Sequence, residues 1–207
     1  RHWEKLFGAI GQNFFPQMTF SLEQLLGWNI MSKKDEVGDA SATASGEHLL
    51  EEAIEKIKSG WDSTNFTLLP YRDSKDVFIL TALDDIFVQL EDHQVALQTM
   101  LGNRYITGVR EEVEKWAKKL SLLSDTLDEW VQCQKSWMYL ETIFSAEDIQ
   151  KQLPKEAAKF QAVDRQWKET LRETNENPQV VECVSKGDIL CKIFQNSNKT
   201  LDDIQKS

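Results

Sequence analysis

The stretch that decides the fold is Val109–Phe144, VREEVEKWAKKLSLLSDTLDEWVQCQKSWMYLETIF. Val109, Val113, Trp116, Leu120, Leu123, Leu127, Trp130 and Trp137 recur at steps of four and three residues, the spacing that places side chains on one helix face. Gln134 is the one polar member of that stripe, and neither glycine nor proline interrupts it. Glu111 with Lys115 and Glu114 with Lys118 stand in the i, i+4 order that supports an exposed helix surface. At about 1.5 Å per residue the helix is roughly 50 Å long. A compact chain of this size has a radius of gyration of only about 17 Å. The spacing therefore predicts a mainly α protein, an elongated rod or arch of helices.

Working outward toward the amino end, Leu83 to Leu101 returns the same period, with Gly102-Asn103 as a left-handed stop. Before it the period changes. Asn65 to Leu69 and Asp76 to Leu80 are short aromatic or β-branched runs around the turn formers Tyr71-Arg72-Asp73-Ser74-Lys75. They predict one inserted β-hairpin, which as a two-stranded unit must lie against a helical body. Ser32 to Gly60 reads as helix from Val37, Ala40, Ala44, Leu49, Leu50, Ala53, Ile54 and Ile57, with Gly46 marking a candidate break near Ser45. Ser21 with Gln24 is a capping-box pattern that opens a brief helix to Leu26, and Arg1 to Ile10 forms another. Toward the carboxyl end, Ser145 with Asp148, then Pro154, then Asn177-Pro178 each read as helix starts, and Ile189 to Ile204 closes in helix. The expected segments are a first helical part over 1–62, the hairpin over 63–81, two long helices over 82–144 and a last helical part over 145–207.

Composition narrows the function. Of 207 residues, 24 are Lys or Arg and 34 Asp or Glu, a net charge of −10, which argues against the basic surface that phosphate backbones require. No apolar run exceeds four residues, the length of Val77 to Leu80, far below the roughly 20 residues of a membrane span. Cys133, Cys183 and Cys191 are odd in number and widely spaced, which fits a reducing compartment better than a disulfide framework. The opening at Arg1, with neither initiator Met nor signal peptide, reads as a piece of something longer.

Catalytic, cofactor and metal motifs are sought without return, so no site residue of these kinds is assigned. No glycine precedes a lysine in a phosphate-loop frame, and Gly8-Ala-Ile-Gly11 reads as a frayed helix end. His2, His48 and His93 stand far apart with no metal-ligand spacing. Cys133, inside the long helix, reads as a packing residue. The pairs Glu51-Glu52, Asp84-Asp85 and Glu111-Glu112 are adjacent on helices, where neighbours diverge by about 100° and do not converge on a substrate. Trp116, Trp130 and Trp137 share the helix stripe and read as large core side chains.

The end of that helix also carries a resemblance. Trp130-Val-Gln-Cys-Gln-Lys-Ser-Trp137-Met-Tyr139-Leu140-Glu141-Thr-Ile143-Phe144, followed by Ser145-Ala-Glu-Asp-Ile and Leu153-Pro154-Lys-Glu156-Ala-Ala-Lys-Phe160, closely resembles the linker region, or N-terminal region 2, of dynein heavy chains. Arg1-His2-Trp3 and Phe78-Ile79-Leu80 look like the same family. Pro70-Tyr71-Arg72-Asp73 and Ser145 to Ile149 look like its axonemal, ciliary branch.

What the resemblance implies is a mechanical element that couples ATP-driven changes in a motor ring to movement of the tail along microtubules in cilia and flagella. It implies the ring of the same heavy chain and other dynein subunits as partners, microtubules only through regions absent here, and a place in the axoneme. ATP and Mg would belong to the absent ring, leaving this stretch with no cofactor and no catalytic role, and neither nucleic acid nor membrane as partner. Two rivals stand beside it: a spectrin-like helical scaffold, which an internal repeat would favour and none is visible, and a small enzyme with a site assembled in space.

Overall fold

The computed structural model describes residues 1–207. The protein is mainly α, 74% helical, with one two-stranded antiparallel sheet. In chain order the elements are α1 (His2–Ala9), α2 (Leu22–Gly27), α3 (Lys34–Asp62), β1 (Thr67–Pro70), β2 (Phe78–Thr81), α4 (Asp84–Leu101), α5 (Arg110–Phe144), α6 (Glu147–Gln152), α7 (Pro154–Glu176) and α8 (Ile189–Gln205). Short 3₁₀ turns lie at Ile30–Lys33, Ile106–Gly108 and Val180–Val184. The chain divides into two compact units, Arg1–Lys56 with Thr99–Val113, and Ile57–Gln98 with Glu114–Ser207.

In the first unit, α2 opens as its sequence requires. The Ser21 hydroxyl accepts from the Gln24 amide at 3.2 Å, and the Gln24 side-chain oxygen accepts from the Ser21 amide at 2.9 Å, so two otherwise orphaned donors are satisfied. Phe7 is fully buried and meets Trp3, Phe14, Phe20 and Trp28 edge-on, with centroids 5.0 to 6.2 Å away. This geometry sets the positive ring edge against a negative ring face.

Helix α3 runs without a break through Ser45. The glycine that suggested one has another purpose. A Cβ at Gly46 would lie 2.2 Å from the Tyr105 ring, so the missing side chain makes room for that ring, and the helix period continues. At the end of α4 the stop also differs from a left-handed cap. The Asn103 amide donates to the Met100 carbonyl at 3.0 Å, and the Asn103 side chain accepts from the Tyr105 amide at 2.9 Å. The positive-φ residues lie elsewhere, at Gly11, Asn29, Arg72, Ala82 and Gly187.

The second unit holds the larger core. Trp61, Trp130, Trp137, Trp167, Phe194, Leu90, Leu97, Leu120, Leu123, Leu127 and Leu171 are all fully buried. The face of α5 read from the sequence is the buried face throughout. β1 and β2 pair Thr67 with Thr81 and Pro70 with Phe78, a register that places each strand two residues beyond its expected start. Pro70 falls on the outer strand at a position that owes no ladder N–H, because the neighbouring Tyr71 amide makes the ladder bond to the Val77 carbonyl at 2.7 Å.

Two helix starts are corrected. The Ser145 hydroxyl donates back to the Thr142 carbonyl at 3.0 Å and caps nothing; α6 begins after Ala146 with no side-chain cap. Asn177-Pro178 ends α7 and begins no α-helix. The Pro178 carbonyl accepts from the Phe66 amide at 2.7 Å, the Val180 amide donates to the Thr64 carbonyl at 3.0 Å, and Asn65 and Gln179 form an antiparallel bridge. Pro154, by contrast, stands at the first turn of α7, where its missing N–H costs no helix bond.

Since Trp130 and Trp137 are both 0% exposed, truncating either to Ala is expected to cost about 3 to 5 kcal/mol. Chemical unfolding of each variant measures it, and an unchanged midpoint would show that the stripe does not carry the core.

Candidate functional site

The most specific geometry of the second unit is the dock between the hairpin and α5. Trp130, Gln134, Trp137 and Glu141 stand at i, i+4, i+7 and i+11, one face of the helix. Each meets a different level of the hairpin. At its base, Phe66 sits edge-on to Trp130 with centroids 5.2 Å apart. In the middle, the Gln134 side-chain oxygen accepts from the Leu80 amide at 2.8 Å while its nitrogen donates to the Leu80 carbonyl at 2.9 Å. Near the tip, Tyr71 sits edge-on to Trp137 at 5.0 Å. The Tyr71 hydroxyl reaches Glu141 at 3.3 Å, and Arg72 pairs with the same carboxylate at 3.1 Å and donates to the Thr142 hydroxyl at 2.8 Å.

Gln134 acts as a third strand. In the observed register Tyr71 and Val77 form a hydrogen-bonded pair, so Leu80 turns its N–H and C=O outward from the ladder. A primary amide presents one donor and one acceptor side by side, matching that exposed edge and closing it. Arg72 adopts φ +55°, an uncommon conformation for a non-glycine residue. Its contacts with Glu141, Thr142 and the Tyr71 ring, whose centroid lies 4.9 Å from the guanidinium, hold it there.

Two further helices complete the stack. Trp130 is parallel to Phe194 of α8 at 4.7 Å, and Trp137 to Trp167 of α7 at 5.2 Å. The Trp137 indole donates to Asp164 at 3.0 Å, and Lys168 pairs with that carboxylate at 2.6 Å. Asn198 of α8 donates to the backbone and side-chain oxygens of Glu129. Rings thus run continuously from Phe66 through Trp130, Phe194, Trp167 and Trp137 to Tyr71.

The first unit has a different lock. Glu47 is buried at 7% exposure, and both its oxygens accept from Arg1 at 2.8 Å, with His2 on one of them. A Cβ at Gly108 would fall 1.2 Å from a Glu47 oxygen. Gly108 is therefore the cradle of a buried carboxylate, and with Gly46 beneath Tyr105 it makes the 101–108 corner a packed joint.

The residues weighed for chemistry lie apart. His48 faces Glu51 and Glu52 on the exposed side of α3. His93 sits edge-on to Trp61 at 5.9 Å, and burial pulls its pKa below the ordinary value despite Asp92. No group of three His, Cys, Asp or Glu is placed to hold a metal ion. Burial, reinforced by Glu129, pushes the Cys133 thiol up to about 12. Burial likewise pushes Cys183 to about 12 against a backbone hydrogen bond that lowers it. Such thiols are poor nucleophiles. What sequence reading missed is Gln134, visible only as a polar residue in an apolar stripe, and Glu47, which carries no sequence signal of burial.

The family model for the dynein heavy chain, N-terminal region 2, matches residues 1–207. The chain belongs to the dynein heavy chain family. It is 41% identical over its whole length to dynein axonemal heavy chain 6 of Homo sapiens. It is 36% identical to dynein axonemal heavy chain 3 of Mus musculus and 34% to dynein axonemal heavy chain 1 of the same species. The chain spans about 5% of the length of these relatives. A single family match over every residue displaces the spectrin-like alternative, and no helix is long and apolar enough to cross a membrane.

Replacing Gln134 by Leu keeps the bulk but leaves the Leu80 N–H and C=O without partners, an expected cost of about 1 to 3 kcal/mol. Hydrogen exchange should show faster exchange at the Leu80 amide; protection equal to the parent would mean that Gln134 does not close the edge. The cysteines set a pH expectation. Above the ordinary thiol value of 9.0 the unfolded chain sheds protons that the folded chain keeps until about 12, so their contribution is whole below pH 9 and is lost as pH rises through that window. Urea unfolding across it should show a shallower decline for Cys133→Ala than for the parent.

Proposed function

We propose that this chain is part of the mechanical linker of an axonemal dynein heavy chain, passing shape changes of the ATP-hydrolysing ring to the tail and so to movement along microtubules in cilia and flagella. The reading rests on membership of the N-terminal region 2 family over residues 1–207 and on the axonemal relatives. The observation that carries its physical side is the hairpin docked along one face of α5. An element that transmits displacement has to resist bending over its length. The α5 face from Trp130 to Glu141 is braced by a hairpin, and its two tryptophans also stack on α7 and α8.

Nucleotide and magnesium belong, in this proposal, to the ring of the parent chain, and the partners of this stretch are that ring and other dynein subunits. The chain itself acts without catalysis. Its place is the axoneme, as part of the cytoskeleton.

The test uses the parent heavy chain. Gln134→Leu loosens the hairpin without touching any nucleotide site, so microtubule gliding should slow several-fold while ATP turnover by the ring stays near the parent rate. Equal loss of turnover and gliding would show that the variant damages the motor generally. Unchanged gliding by a variant with a demonstrably loosened hairpin would overturn the mechanical role given to the dock.

A further inference from the structure

Helix α7 has a second face, away from the Trp137 contact. Together with the Val180–Val184 turn and the start of α8, its residues from Gln166 to Asn177 line an open groove of about 670 Å³. Leu190 and Ile193 of α8 are its half-buried apolar members, and Ile189 beside them is 57% exposed. Glu169 and Glu173, one turn apart on α7, and Glu182 on the 3₁₀ turn supply three carboxylates against the single ammonium of Lys186. None of the three carboxylates is held in an ion pair, although short i, i+4 pairs occupy neighbouring helix surfaces.

We propose that this groove is the docking site of a cationic amphipathic helix. The apolar members at Leu190 and Ile193 call for apolar side chains at helical spacing, the mode in which a helix lays one face into a groove. The α7 wall from Gln166 to Asn177 covers about 16 Å, or three helical turns. The unpaired carboxylates specify the remainder of the partner. Cations flanking its apolar stripe would meet Glu169 and Glu173 on one helix and Glu182 on the turn. Acidic or neutral helices of the same shape would bring repulsion or nothing to those three charges, so sign complementarity selects among partners and raises the encounter rate.

The experiment uses the 207-residue chain with methyl-labelled Ile and Leu and a synthetic helical peptide bearing leucines at i, i+3 and i+7 flanked by lysines. Shifts concentrated on Ile189, Leu190 and Ile193 are expected, with affinity falling as salt is added. Glu169→Lys combined with Glu173→Lys, both exposed positions, should weaken binding about tenfold or more. A peptide with glutamates in place of the lysines should then regain it. Equal binding of the lysine and glutamate peptides by the parent chain would overturn the proposal, as would methyl shifts centred elsewhere. Shifts of the same three residues that grow with protein concentration, without peptide, would assign the groove to a second copy of the chain and overturn it too.

Discussion

A match of lengths governs the second unit. From Trp130 to Glu141 the docking face of α5 spans eleven residues, about 16 Å along a helix. From Phe66 to Tyr71 the hairpin advances five residues, about 17 Å along a strand. Two elements of different rise therefore stay in step over one hairpin length, and contacts can occur at base, middle and tip. A one-residue slip of β2 would turn the N–H and C=O of a neighbour outward in Leu80's place, but would send the buried Leu80 side chain to the opposite face. Burial of Leu80 therefore sets the register of the sheet, and Gln134 sets the rotation of α5 against the edge that this register exposes. The rings that stack on the tryptophans follow from that rotation.

Apolar and polar members of the dock do different work. Trp130, Trp137, Trp167 and Phe194 are wholly or almost wholly buried, and their stacking supplies area with weak directional demands. The indole nitrogens of Trp61, Trp130 and Trp167 find no partner, so these residues are present for their size. Gln134, and Trp137 through Asp164, add direction. An amide aligned with a strand edge tolerates little rotation, so it selects one arrangement among the several that packing alone would accept.

The sequence shows α5 almost completely, because a buried helix face has a period that survives without tertiary information; every apolar member of its stripe is buried. The capping box of α2 is equally local and equally legible. What escapes is whatever depends on a distant residue. Gly46 looks like a break because glycine's usual meaning is conformational, whereas here it makes room for Tyr105, as Gly108 does for Glu47. Ser145 has the composition of a cap but spends its hydroxyl on Thr142. Asn177-Pro178 looks like a helix start, yet its backbone is taken by residues more than a hundred positions earlier. Gln134 is the clearest case. The one polar residue in an apolar stripe reads as an interruption until the strand edge it completes is in view. Beyond the fold, family membership was legible because a long aromatic string is specific in a way that its individual tryptophans are not.

Helix α7 joins these themes. Trp167 and Asp164 tie it to Trp137, while Glu169, Thr170 and Glu173 line the groove beside α8. These residues lie within three turns of one uninterrupted helix, and close-packed interiors transmit small displacements instead of absorbing them. A helix seated in the groove would bear on the same rigid element that carries the Trp137 stack. Because Trp137 also meets Tyr71, the displacement would reach the hairpin tip through two ring contacts. The hairpin dock and the groove therefore share one helix, with Trp167 and Asp164 on its side toward Trp137 and Glu169 and Glu173 at the groove.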